Sequence, residues 1–179
     1  MKVNYTVKCF ASGTNTQITS IKVGQKFDLV LLVQDLRPAG TYFNPNYGLT
    51  LNKARGVFAA YTDILFNQNL VQVNWNGGWI FSPQYPNGQF IQAGLNRIDE
   101  VGAFASSFSG LGTGLIEVVR IDCTGRAVGI NTFTPSCAKL ERPMHDTLVY
   151  GNIACDPPEQ SYVDVTEITL TPVSISVTL

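Results

Sequence analysis

The sequence predicts an all-β protein, a two-sheet jelly-roll β-sandwich of about nine or ten strands. Three observations carry this expectation. Apolar side chains recur at every second position in one segment after another, the period of a strand with one buried face. No stretch of ~12 residues places apolar side chains at i, i+3, i+4 and i+7 between helix caps. The 16 Gly and 9 Pro fall mostly between the alternating segments, where turns need them.

The elements follow in order. Val3, Tyr5, Val7 and Cys9 share one face of a first strand. Lys26 to Leu36 is a long strand apolar on both faces. Pro38 to Arg55, rich in Asn, Gly and Tyr, is the longest irregular stretch and reads as a large loop inserted at 38–55, a type of segment that often carries contacts. Val57 to Phe66 places Phe58, Ala60, Thr62, Ile64 and Phe66 on one face and Tyr61, Asp63 and Leu65 on the other. With Leu29 and Leu31, the residues Phe58, Ala60, Ile64 and Phe66 are the expected core. Leu70 to Val73 and Trp79 to Phe81 are short strands around the turn sequence Asn76-Gly77-Gly78, where Gly accepts positive φ at little cost. Ile98 to Phe104, Gly114 to Asp122, Ala127 to Thr134, Thr147 to Tyr150 and Thr166 to Val177 complete the set, with a tight turn at Thr124-Gly125-Arg126. No internal repeat or low-complexity linker divides the chain, so residues 1–179 read as one domain.

Composition narrows the function. The charged fraction is 14% and the net charge -1, which excludes a strongly basic nucleic-acid binder and a polybasic membrane-surface protein. No run approaches the ~20 apolar residues of a membrane span. The first residues, Met1 to Thr6, have no apolar core of a signal peptide, which a mature secreted chain carrying an added methionine would also show.

Catalytic constellations are weak. The one histidine, His145, has no nucleophile-elbow motif to serve, and reads as a loop residue. Asp99 and Glu100 are neighbours on a strand, so alternation sends them to opposite faces and not into a catalytic pair. No cofactor is expected. Calcium is the one metal worth weighing, but Asp35, Asp63, Asp99, Glu100, Asp122, Asp146 and Asp156 are scattered and define no ligand set. Aromatics offer a binding reading: Trp75 and Trp79 flank the Gly turn, with Tyr85 beyond and Tyr42 and Tyr47 on the long loop. Exposed, they could stack on a polysaccharide; buried, they are core. Cys9, Cys123, Cys137 and Cys155 form no CxxC pair. They fit either two disulfides in an oxidising compartment or four buried thiols.

Several segments together resemble a known family. They are Val23-Gly24-Gln25-Lys26-Phe27 running on to Leu31 through Arg37, Gly56 to Ile64 with the stretch around Phe58-Ala59-Ala60-Tyr61-Thr62-Asp63, Phe81 to Gly88, Ile98 to Phe104, and His145 to Gly151. In this order they resemble the cohesin-like modules of large bacterial surface and secreted proteins, of planctomycete type. The resemblance implies a jelly roll related to cohesins and cellulose-binding modules, no catalysis, an extracellular or cell-surface location, and a dockerin-like protein partner recognised through one sheet face. Two other roles stay open: a structural subunit of a filament or sheath that self-assembles by strand pairing, for example through Lys2 to Phe10, and a carbohydrate-binding module. The family's strand order also implies a disulfide pairing. It sets Cys9 and Cys137 at one end of the sandwich and Cys123 and Cys155 at the other, hence Cys9–Cys137 and Cys123–Cys155.

Overall fold

The computed structural model describes residues 3–36, 42–44, 49–51, 56–91, 96–105, 111–136, 150–151 and 168–179. Among these every regular element is a strand. One sheet holds six strands. Its backbone order is β14 (Ile168–Thr171), β1 (Val3–Ala11), β3 (Lys26–Asp35), β11 (Leu115–Gly125) and β7 (Val71–Val73), with β8 (Trp79–Phe81) also paired to β11. The second sheet holds seven: β2 (Ser20–Lys22), β15 (Val173–Thr178), β12 (Gly129–Ser136), β6 (Val57–Leu65), β10 (Arg97–Phe104) and β9 (Asn87–Ile91) in order, with β13 (Tyr150–Gly151) also paired to β6. The strand segments outnumber those expected because short edge strands such as β2 and β9 are too brief to show a period.

Two other expectations are corrected. The 38–55 segment is not all loop: β4 (Tyr42–Asn44) and β5 (Leu49–Leu51) pair antiparallel within it. The strand expected over Thr166 to Val177 is two. It breaks at Pro172, with β14 joining β1 in one sheet and β15 joining β12 in the other. A proline has no N–H for a ladder, so this is where the chain changes sheets.

Alternation decides what lies between the sheets. Val3, Tyr5, Val7 and Cys9 of β1 are buried, as are Phe27, Leu29, Leu31 and Val33 of β3 and Ala60 and Ile64 of β6. Phe66 lies in the same core. Phe58 is expected there too, but its side chain lies outside the described residues. Phe133 of β12 sits between Phe27, at 6.1 Å, and Phe66, at 6.0 Å, so three rings join the two sheets. Two tyrosines add polar ties across the same space. The Tyr61 N–H donates to Tyr5 Oη at 3.1 Å, and Tyr85 Oη donates to the Val57 carbonyl at 2.7 Å. A buried hydroxyl without such a partner would cost ~1–3 kcal/mol.

The placement of the cysteines differs from the family-based expectation. Cys9 faces Leu29 and Cys123 faces Phe27, on opposite sides of β3. Both thiols therefore lie at the same end of the sandwich, not at opposite ends. The strand beside β3 is β11, which carries Cys123, and not β12, which leads to Cys137. β12 ends at Ser136 beside Asp63, two residues along β6 from Tyr61, whose N–H meets Tyr5 Oη, and Cys9 lies four positions further along β1 from Tyr5, about 13 Å. Cys9 and Cys123 are both free thiols in the core. Cys137 and Cys155 lie outside the described residues.

Candidate protein-recognition face

The two sheets differ in what covers their outer faces. On the six-stranded sheet, the chain leaving β1 folds back over the strands and is clamped by Arg120 of β11. The guanidinium donates to Thr14 O at 2.7 Å, Asn15 Oδ1 at 2.9 Å, Asp28 Oδ2 at 3.1 Å and Glu117 Oε2 at 3.1 Å. It also lies 5.3 Å from the centre of the Phe10 ring, within cation–π reach. Gly13 N–H donates to the same Asp28 oxygen at 2.9 Å. Val30, which alternation turns outward between Lys8 and Arg120, is fully buried beneath this cover.

The seven-stranded sheet has a more open outer face. Register places its side chains in rows across the strands. Thr134, Leu65 and Arg97 form one row, and Ser136, Asp63 and Asp99 the next. Tyr61 and Gly102 follow, then Ala59, Phe104 and Asn87. Gly102 is required here: a Cβ would stand 2.0 Å from Ala60 O and 2.6 Å from Tyr61 Cδ1. Toward β15 the face continues through Thr132, which hydrogen-bonds Ser174 at 2.9 Å, to Ile130. Leu65 and Phe104 are each 42% exposed and Ile130 71%. Apolar points thus stand among hydroxyls on a broad sheet surface, an arrangement suited to a protein partner.

A charged cluster sits in the middle. β10 carries a bulge between Ile98 and Val101, with Glu100 at φ 45°. The extra residue points the Glu100 N–H at Asp63 Oδ1, 3.0 Å away. Arg97 Nη1 lies 3.5 Å from Asp63 Oδ2, and Arg97 Nη2 lies 3.0 Å from Asp99 Oδ1. Asp63 is nearly fully buried. Burial pushes its carboxyl up to about 6, helped by the charge and hydrogen bond of Asp99 and opposed by the Glu100 N–H and Arg97. The bulge also corrects the expectation of simple alternation at Asp99 and Glu100: both are half-buried, and Asp99 is joined to Asp63 instead.

The aromatic candidates fare differently. Tyr85 is corrected: it is wholly buried with its hydroxyl bonded to Val57 O, so no ligand can stack on it. Trp75 and Trp79 stack on each other at 5.9 Å and pack against the core, each half-buried. Trp79 Nε1 donates to Asn74 O at 3.1 Å. They make a self-contained pair and not a flat platform. The Tyr42 side chain, Tyr47 and His145 lie outside the described residues. No group of three His, Cys, Asp or Glu among the described residues is arranged to hold a metal. Alternation places Leu65 and Asp63 on one face but gives no sign that Arg97, Asp99 and Phe104 join them, because that depends on the pairing of β6 with β10.

No family profile matches the sequence, and no curated protein matches it. Solved structures do match by shape, and they are cohesins. The cohesin module of a family 33 glycoside hydrolase from Clostridium perfringens is similar with a TM-score of 0.60 at 11% identity, covering 99% of this chain and 97% of that one. A type III cohesin of the ScaE cell-surface anchoring scaffoldin of Ruminococcus flavefaciens gives 0.58 at 9%, covering 99% and 88%. A type I cohesin–dockerin complex from Clostridium thermocellum gives 0.56 at 7%, covering 99% and 100%. At such identities the likeness concerns architecture, and the chain has a cohesin-like fold.

Proposed function

We propose that the protein is a non-catalytic recognition module that binds a dockerin-type protein partner through the outer face of its seven-stranded sheet. The observation that carries this reading is the asymmetry between the two faces. One is crossed by the chain's own loop under Arg120, which leaves Ile80 at its margin exposed, while the other exposes Leu65, Phe104 and Ile130 around the Arg97–Asp63–Asp99 cluster. The likeness to cohesins solved with dockerins supports the class of partner. In such an interface the apolar points are the anchors, and the buried charge cluster sets orientation more than affinity. An extracellular or cell-surface location belongs to the same proposal. Among the described residues no helix is long and apolar enough to cross a membrane.

Titration calorimetry against purified dockerin modules of the producing organism, with insoluble cellulose as a parallel ligand, tests the reading. Saturable one-to-one binding of a dockerin without retention on cellulose is expected. Retention on cellulose with no dockerin binding would replace it with the carbohydrate reading.

A further inference from the structure

The chain contains two Asn-Gly sequences, Asn76-Gly77 and Asn87-Gly88, and the fold treats them oppositely. Asn76 and Gly77 form the exposed tip of the turn between β7 and β8. The base of that turn is fixed. Asn74 N–H donates to Asp122 O at 2.9 Å, Asp122 N–H donates to Gly78 O at 2.7 Å, and Asn74 Nδ2 donates to Asp122 Oδ2 at 3.0 Å. The tip is open: Gly77 has φ 94°, and a Cβ placed on it would meet nothing within 4 Å. Asn87-Gly88 has the same chemistry and is also exposed, but it is held in a ladder. Both residues are paired in the β9–β10 ladder, opposite Phe104 and Ala103. Asn87 Nδ2 donates to Phe104 O at 3.4 Å. A Cβ on Gly88 would stand 2.0 Å from the Phe81 ring.

We propose that Asn76 is a site of spontaneous covalent modification, deamidation through a cyclic imide. The Gly77 backbone nitrogen attacks Asn76 Cγ. A C–N bond forms, the Cγ–Nδ2 bond breaks, and ammonia leaves carrying the proton given up by the Gly77 N–H. Water then opens the imide at one carbonyl or the other, giving aspartate or isoaspartate. The balance is asparagine plus water to a carboxylic acid plus ammonia. Ring closure needs the side chain to swing over the following nitrogen and water to reach it, and is fastest where the next residue has no side chain. Both sequences offer the glycine and the water, but only the turn tip leaves the backbone free to make the swing. At Asn87 the same swing needs the ladder to open first, and local opening suppresses the rate by its equilibrium constant. With time the modification places a new negative charge between Trp75 and Trp79, in a loop otherwise closed by Asp122.

The test is peptide mapping by mass spectrometry after warm incubation at mildly alkaline pH, with fragmentation to locate the product, run on folded protein and on protein in denaturant. In the folded protein Asn76 should convert at least about tenfold faster than Asn87, the factor that ~1.4 kcal/mol of local opening imposes. In denaturant the two rates should converge. Asn76→Gln should abolish the early product and Asn87→Gln should leave it. Equal rates in the folded protein, a product that survives Asn76→Gln, or an Asn76 that converts only in denaturant would each overturn the proposal.

Discussion

Replacing Asp63 by asparagine tests the charge cluster through the pH dependence of stability. The carboxyl is pushed from its ordinary 3.8 up to about 6, first by burial. The folded state therefore holds a proton that the unfolded chain has lost between those two values. The slope of unfolding free energy with pH follows protons bound in the unfolded state minus those bound in the folded state. That difference is negative here, so this stabilising contribution is complete below about pH 4 and is lost as pH rises through about 6. Two units at 1.36 kcal/mol each bound the loss near 3 kcal/mol. The Glu100 N–H and Arg97 steady the ionised form of Asp63, so about 1–3 kcal/mol is the working range. In Asp63→Asn the amide oxygen still accepts from the Glu100 N–H, and the NH2 can donate to Asp99 as the protonated acid does. The variant imitates the acid form at every pH. Urea unfolding followed by tryptophan fluorescence should show the wild type losing about 1–3 kcal/mol relative to Asp63→Asn between about pH 4 and pH 7.5. The difference curve cancels the other carboxylates. Parallel curves, or a wild type that gains on the variant as pH rises, would mean that Asp63 does not hold its proton in the folded state.

Three further outcomes follow from the fold. Phe133→Ala removes the ring between Phe27 and Phe66 and should cost about 3–5 kcal/mol in chemical denaturation; a loss under ~1 kcal/mol would mean the three rings are not one core. Arg120→Ala should cost about 2–4 kcal/mol by leaving the buried Asp28 carboxylate without its cation, and should open residues 12–17 to protease, with Arg120→Lys recovering only part because it lacks the planar fork. Burial pushes the Cys9 thiol up to about 12 and the Cys123 thiol well above its ordinary value, so a thiol-alkylating reagent should modify neither in the native protein at neutral pH and both after unfolding.

Much of this architecture is legible in the sequence, and the limits have physical causes. β1, β3 and β6 show their alternation because one face of each packs on the core, so the period alone assigns Val3, Tyr5, Val7, Cys9, Ile64 and Phe66 to the interior. Three-residue strands such as β2 and β5 carry too few positions for a period. Tyr85 escapes such reasoning because composition does not say whether an aromatic after a turn points in or out; the Val57 carbonyl that takes its hydroxyl is 28 residues away. The cysteine ends differ from the family-based expectation because strand order places β11, and not β12, beside β3. The proposed face is only half visible. Alternation assigns Asp63 and Leu65 to one side of β6, but Arg97 and Asp99 reach them through non-local pairing across a bulge. Local alternation cannot foresee that bulge, since the extra residue Glu100 breaks the period itself.

Two charge insertions of equal kind on opposite faces distinguish recognition through the seven-stranded sheet from recognition elsewhere. Leu65→Glu alters an exposed residue on the proposed face, and Ile80→Glu alters one on the six-stranded sheet that is 66% exposed beside Arg120. Titration of a cognate dockerin should give wild-type affinity with Ile80→Glu and a loss of about thirtyfold or more with Leu65→Glu, the ~2 kcal/mol of an interface anchor. Binding that survives Leu65→Glu and fails with Ile80→Glu would place recognition on the six-stranded sheet instead.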